Sequence, residues 1–237
     1  MKYKKTIFLL ITLLLVYFIY YKFNNHKLNY LALGDSFALG ENPYGELTYG
    51  YSDFVANYLE SKNKLNNYTK DFADSTARTS DLYKDIIINK RVKINGKIAN
   101  LKKALTDSDI VTISIGANDI INTINQKPEI TLSDNKIKEI LNKNVNDLNQ
   151  MIKEIKKYNR GKLILVGYYN LFIYKEDNYK IFKQLNNKYK QYCQNNNLVY
   201  IDVYNKISKE NIPNPLNIHP STSGYEIIAK QINKNIN

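Results

Sequence analysis

Cysteine and histidine are scarce in this chain, and their scarcity removes several kinds of chemistry at once. A single cysteine, Cys193, among 237 residues excludes an internal disulfide framework. It lies in the polar helical pattern Tyr189-Lys190-Gln191-Tyr192-Cys193, which suits an inert, half-buried thiol better than a nucleophile. Two histidines and one cysteine leave too few of the usual ligands for a zinc site, so neither a metal nor another cofactor is expected. Also missing are an internal repeat and, after residue 29, a low-complexity linker.

Basic residues are in excess, with a net charge of +12. The lysines are scattered through Lys/Asn-rich helical stretches, without a basic cluster interleaved with stacking aromatics. They read as a solvated surface compatible with anionic envelope polymers or lipid headgroups, and no nucleic-acid partner is expected. Five lysines, Lys2, Lys4, Lys5, Lys22 and Lys27, precede the first acidic residue, which leaves 29 basic against 22 acidic residues for the remainder. Three of these five stand ahead of Thr6 to Tyr21, a run that is almost wholly apolar and near the lower length limit for a membrane span. The run ends in Tyr17-Phe18-Ile19-Tyr20-Tyr21-Lys22-Phe23, without the small-residue pair of a cleavage site. Interfacial tyrosines and flanking lysines favour a retained, single-pass membrane anchor with the following domain outside the cell. Secretion after signal cleavage is the rival. The chain therefore divides into an anchor and tether, residues 1–27, and one domain, residues 28–237, whose 43% hydrophobic content is enough for a core.

Within that domain, strand and helix signals alternate. Strands are predicted at Tyr30 to Leu33, Tyr68 to Ala73, Ile110 to Ile115, Leu163 to Tyr168 and Leu198 to Val203. Helices are predicted at Tyr51 to Glu60, Ser80 to Ile87, Ile98 to Leu105, Ser133 to Tyr158, Asn178 to Asn195 and from Ser221 onward. Such alternation implies an α/β fold, a three-layer α/β/α sandwich around a five-stranded parallel, flavodoxin-like sheet. The pivotal stretch is Tyr30 to Gly40, where a short apolar run stops at Gly34-Asp35-Ser36. A serine just beyond the carboxyl end of a parallel strand stands where ligands usually bind, although an ordinary Asp-Ser turn or helix cap has the same local look. Gly116-Ala117-Asn118-Asp119 repeats the arrangement after the third strand. His219, held between Ile218 and Pro220 ahead of the last helix, is by itself equally a structural loop histidine.

Taken together in order, Gly34-Asp35-Ser36, Gly116-Ala117-Asn118-Asp119 and His219-Pro220 resemble the GDSL or SGNH hydrolase family, especially its bacterial lipase and esterase-like members. Tyr168-Tyr169-Asn170 adds to the likeness. The resemblance implies that Ser36 is a nucleophile and His219 its general base. A serine hydroxyl needs such a base within hydrogen-bond reach, and His26 belongs to the tether. It also implies an oxyanion hole made by the backbone N–H of Ser36, a second backbone N–H and the side-chain amide of Asn118. Gly34, Asp35, Gly116 and Asp119 would support these groups. Two departures stand out. Thr76 is the best match where the family places a glycine that supplies the second N–H. Leu216 occupies the position of the triad aspartate, three residues before the histidine, which leaves Asn217 or a backbone carbonyl to orient His219. Three functions follow from different classes: a serine esterase acting on a small-molecule, lipid or glycan ester; a catalytically degenerate binding module; and an acyltransferase on a wall glycan or lipid.

Overall fold

The computed structural model describes residues 11–16, 26–125, 133–174 and 179–236. Its centre is a five-stranded, wholly parallel sheet made of β1 (Leu28–Gly34), β2 (Leu65–Thr69), β5 (Ile110–Ser114), β6 (Lys162–Val166) and β7 (Val199–Ile201), in the order β2-β1-β5-β6-β7. This is the flavodoxin-like order, and its switch point lies between β1 and β5. The central strands are apolar without alternation because both faces of the sheet are covered; every residue of β5 is buried.

Two groups of helices supply the cover. Helix α2 (Tyr51–Ser61) packs against α8 (Thr222–Asn233). The 25-residue α6 (Asp134–Tyr158) packs against α3 (Thr79–Ile87), α4 (Leu101–Asp107), α5 (Ala117–Asn125) and α7 (Tyr179–Asn195). Helix α6 begins where the Ser133 side chain accepts a hydrogen bond from Lys136 N–H, and it buries the stripe Ile140, Leu141, Leu148, Met151, Ile152 and Ile155.

Three expectations need correction. The second strand is Leu65–Thr69 rather than Tyr68 to Ala73, because its partner is the amino-terminal half of β1 and Lys70 to Ala73 turns away. Ile98 to Leu105 is not one helix. Its first part is β4 (Lys97–Asn100), which pairs antiparallel with β3 (Arg91–Ile94) through Asn95-Gly96, both at positive φ, and Asn100 then caps α4. Helix α1 (Ser36–Leu39) follows β1 at once, and α5 follows β5; neither helix was among those predicted. The apolar run Thr6 to Tyr21 falls mostly outside the described residues; 11–16 within it are helical and exposed. Among the described residues no helix is long and apolar enough to cross a membrane.

The carboxyl ends of β1 and β5 and the loop after β2 are tied together at Gly34. Asp35 N–H donates to Ser114 O at 2.9 Å, and Asp74 N–H donates to Gly34 O at 3.0 Å. Gly34 has φ +123°, and a Cβ there would lie 1.8 Å from Ser114 O. Both the dihedral and the contact exclude a side chain. Gly34→Ala is accordingly expected to destabilise the domain by more than about 4 kcal/mol. Chemical denaturation followed by near-UV circular dichroism checks this; a cooperative transition near that of the parent protein would contradict it.

Candidate active site

Helix α1 begins where β1 stops. Asp35 is its N-cap, with Oδ1 accepting from Phe37 N–H at 3.1 Å, and Gly40, at φ 85°, ends it. Ser36 is thereby held as the first helical residue, buried to 5% exposure. Lys70 anchors the far end of α1, donating to Leu39 O at 2.7 Å and to Asp53 Oδ2 at 2.6 Å. Asp53 in turn accepts from Gly50 N–H ahead of α2.

From the opposite end of the chain, the loop before α8 brings His219 to Ser36. Its Nε2 lies 2.7 Å from Ser36 Oγ. On the other side of the ring, Nδ1 lies 2.6 Å from Asn217 Oδ1, and the same oxygen accepts from His219 backbone N–H at 2.9 Å. Because that backbone donor requires an acceptor, the facing atom of Asn217 is its oxygen, and Nδ1 must carry a proton to bond it. Nε2 is then free to accept from the Ser36 hydroxyl. Burial holds His219 below the ordinary histidine value, while the Glu41 charge, with Oε1 at 3.6 Å from Nδ1, opposes that shift. Burial thus favours the neutral ring. Leu216 is 95% exposed and takes no part in this cluster.

Behind Ser36 the Asp35 carboxyl is fully buried and collects three donors: Phe37 N–H, Ser114 Oγ–H at 2.9 Å, and the Tyr168 phenol. Burial raises its pKa from an ordinary 3.8 to about 7, and the bonds from Tyr168, Ser114 and Phe37 limit the rise. Tyr168 and Tyr169 stand just beyond the end of β6. Asn186 clamps the backbone of Tyr168 on both its N–H and its carbonyl, and the Tyr169 hydroxyl donates to Ile218 O, next to His219. The Phe37 ring is packed by Tyr168, Tyr169, Tyr225 and His219 at centroid separations of 5.4 to 6.3 Å.

The loop from Asp74 to Thr79 is tied to the end of β5 by two residues of the Gly116-Asp119 stretch. Asn118 Nδ2 donates to Ser75 O at 3.2 Å and to Ala77 O at 3.0 Å. Asp119 Oδ2 accepts from Thr79 N–H and Oγ1–H at 2.9 and 3.0 Å. Gly116, at φ 109°, leaves no room for a Cβ, which would meet the Tyr189 hydroxyl at 2.0 Å. Thr76 N–H donates to Asp74 Oδ1 at 2.9 Å, so in this conformation it is engaged within its own loop. By contrast, the described hydrogen bonds give Ser36 N–H no acceptor. The structure thus brings Ser36, His219 and Asn217 into direct contact, sets Asp35 and Gly34 behind them, and uses Asn118 and Asp119 as loop anchors. Sequence reasoning missed Ser114, Glu41 and the roles of Tyr168 and Tyr169. The usable signal was their place at or just beyond carboxyl ends of parallel strands, or just after the Ser36 helix.

Residues 32–227 match the model of the GDSL-like Lipase/Acylhydrolase family, and the chain belongs to that family. It is thus an enzyme of the GDSL/SGNH ester-hydrolase type. Among solved structures it is similar to the lipase Lip_vut3 from a goat rumen metagenome, at 22% identity over 88% of this chain and 97% of that one, with a TM-score of 0.69. It is also similar to Axe2, an acetylxylan esterase from Geobacillus stearothermophilus, at 20% identity over 90% and 96% of the two chains, with a TM-score of 0.62. Variants of Axe2 with a serine, a histidine or an aspartate changed to alanine are described as catalytic mutants of that esterase. At these identities the likeness is one of fold. A search of curated proteins finds no match.

The buried Asp35 carboxyl sets a pH dependence of stability. Its folded-state pKa is raised, so the folded protein holds this proton more tightly than the unfolded chain between pH 4 and 7. Stability is therefore lost as pH rises through that window. Relative to Asp35→Asn, the parent protein is expected to lose up to about 4 kcal/mol between pH 4 and pH 7.5. Urea denaturation of both proteins across that range checks the expectation; parallel curves would contradict it.

Proposed function

We propose that this chain is an envelope-facing serine esterase that works through an acyl-enzyme. Ser36 Oγ attacks the carbonyl carbon of a carboxylic ester while its proton passes to His219 Nε2. The alkoxide of the collapsing tetrahedral intermediate takes that proton and leaves as the alcohol. Water, deprotonated by the same nitrogen, then releases the acid and regenerates Ser36. The observation that carries this reading is the 2.7 Å approach of Ser36 Oγ to a buried histidine whose Nδ1 proton is held by Asn217.

Ser36 N–H, at the start of α1, is the first donor proposed for the oxyanion. Asn118 Nδ2 and the Thr76 N–H are the others, and both would exchange their present loop acceptors for the substrate oxygen. The substrate class proposed is an ester of a lipid or glycan alcohol, in keeping with the lipase and acetylxylan esterase whose fold this chain shares. Tyr44, Leu47 and Leu216 are exposed on the two loops that Asn214 Nδ2 joins by its 2.8 Å bond to Pro43 O, and they offer apolar surface to an acyl group. The apolar run and lysines of residues 1–27 support a membrane anchor that carries the hydrolase domain on the outer side. A degenerate binding module is the second reading. It draws on the prior engagement of Thr76 and Asn118.

Hydrolysis of p-nitrophenyl acetate, butyrate and decanoate by the parent chain, Ser36→Ala and His219→Ala tests the proposal. Both variants are expected to lose at least about 10³-fold in kcat/KM. Undiminished turnover in Ser36→Ala would overturn the assignment, and no turnover by the folded parent chain would favour the binding module. Because burial lowers the pKa of His219, kcat/KM should rise to half its maximum below pH 6.5. A midpoint well above 6.5 would contradict that placement of the base.

A further inference from the structure

The imidazolium that forms during acyl transfer needs a countercharge, and the position from which an aspartate would supply one holds Leu216, with its side chain in solvent. Asn217 is neutral. It fixes the tautomer of His219 and contributes no charge to it. The carboxylate nearest to Nδ1 in the described contacts is Glu41, at 3.6 Å, arriving from a different part of the chain.

Glu41 follows Gly40 directly, so its backbone is set by the end of the nucleophile helix. Its N–H donates to Ser36 O at 3.0 Å, its carbonyl accepts from the Tyr225 hydroxyl at 2.7 Å, and it bridges to Leu47 across the turn. The backbone is therefore held to the nucleophile on one side and to α8 on the other. The side chain is 18% exposed and that of His219 9%. Among the described residues its carboxylate has no ion pair other than His219. A negative charge this close, with little water between, interacts with a ring cation far more strongly than it would at the surface.

We propose that Glu41 is the positioning carboxylate of His219, replacing the missing aspartate from the loop after the nucleophile instead of from the loop before the histidine. This rests on the reading of Ser36 and His219 as nucleophile and base. When the Ser36 Oγ–carbon bond forms, the hydroxyl proton moves to Nε2. Asn217 keeps the Nδ1 proton in place, and the ring cation faces Glu41 until Nε2 gives its proton to the leaving alcohol. No proton passes to Glu41. The other titratable groups around the ring are Asp35 beside Ser36, and the phenols of Tyr168, Tyr169 and Tyr225, which burial keeps neutral. Asp35 is occupied by its three donors, so Glu41 is the carboxylate that faces the ring.

The test uses the full chain labelled with ¹³Cε1-histidine. The chain has only two histidines, and a His26→Gln variant assigns the His219 signal. In Glu41→Gln the NMR titration midpoint of His219 is expected to fall by about one pH unit. In Glu41→Asp, which draws the charge back along the same axis, it should fall less. Turnover of p-nitrophenyl butyrate should drop about 10- to 100-fold in kcat in Glu41→Gln, with KM unchanged and partial recovery in Glu41→Asp. An unchanged His219 midpoint in Glu41→Gln, or an activity loss lying wholly in KM, would overturn the proposal. Should Glu41→Gln fail to fold, the midpoint of Glu41→Asp decides: equality with the parent protein overturns it. Loss of the hydrolase reading itself would appear separately, as absent Ser36-dependent turnover in the parent chain, while the titration still reports the charge partner.

Discussion

The site depends on a carboxyl group with no access to water. Asp35 stands at the carboxyl end of β1 and binds three elements at once: the start of α1 through Phe37 N–H, the end of β5 through Ser114, and the segment after β6 through Tyr168. A buried carboxyl costs several kcal/mol unless its oxygens are satisfied, so these donors are a condition of the fold rather than an addition to it. Once they are in place, Ser36 has little freedom, because the residues on both sides of it are hydrogen-bonded and Phe37 is wedged among four rings. The backbone around Ser36 is thus fixed by a polar knot behind it.

The histidine is held by different means. Its loop has no regular secondary structure. Pro213, Pro215 and Pro220 limit the backbone, Asn217 folds back onto His219, and Tyr169 ties Ile218 to the segment after β6. A neutral amide, that of Asn217, therefore faces Nδ1 of His219. The two jobs of a triad acid, setting the tautomer and balancing the charge, are physically separable. In the proposed reading they fall on different residues, Asn217 for the first and Glu41 for the second.

Much of this was legible in the residues. The unbroken apolar runs of β1, β5 and β6 marked a sheet covered on both faces, and an apolar stripe marked the long helix nearly to the residue. Gly34-Asp35-Ser36 and His219 stand at element ends, and it was their joint resemblance to a family's motifs that singled them out. The β3–β4 hairpin was also readable, since Asn95-Gly96 between Arg91–Ile94 and Lys97–Asn100 is a strong turn signal. It was passed over because Ile98 and the following leucines at 101 and 105 also satisfy a helical period. Place in the chain could have marked Ser114, Tyr168 and Glu41 as candidates, but what each of them touches was not legible. Each acts through a side-chain contact with a residue far away in sequence, 79 positions for Ser114 and 133 for Tyr168, and no local pattern distinguishes a serine in a buried strand that faces a carboxylate from one that does not. Thr76 illustrates the same limit: alignment to a motif position identifies the residue but not whether its N–H is already occupied.

The central claim is that Ser36 is a nucleophile because His219 accepts its proton. The most direct measurement is covalent: the full chain is incubated with a serine-directed organophosphonate and the adduct is located by peptide mass spectrometry, in the parent protein and in His219→Ala. A single adduct on the peptide containing Ser36, formed quickly in the parent and at least about 10²-fold more slowly without His219, is the predicted result. Labelling elsewhere, or labelling of Ser36 at the same rate in both proteins, would contradict it.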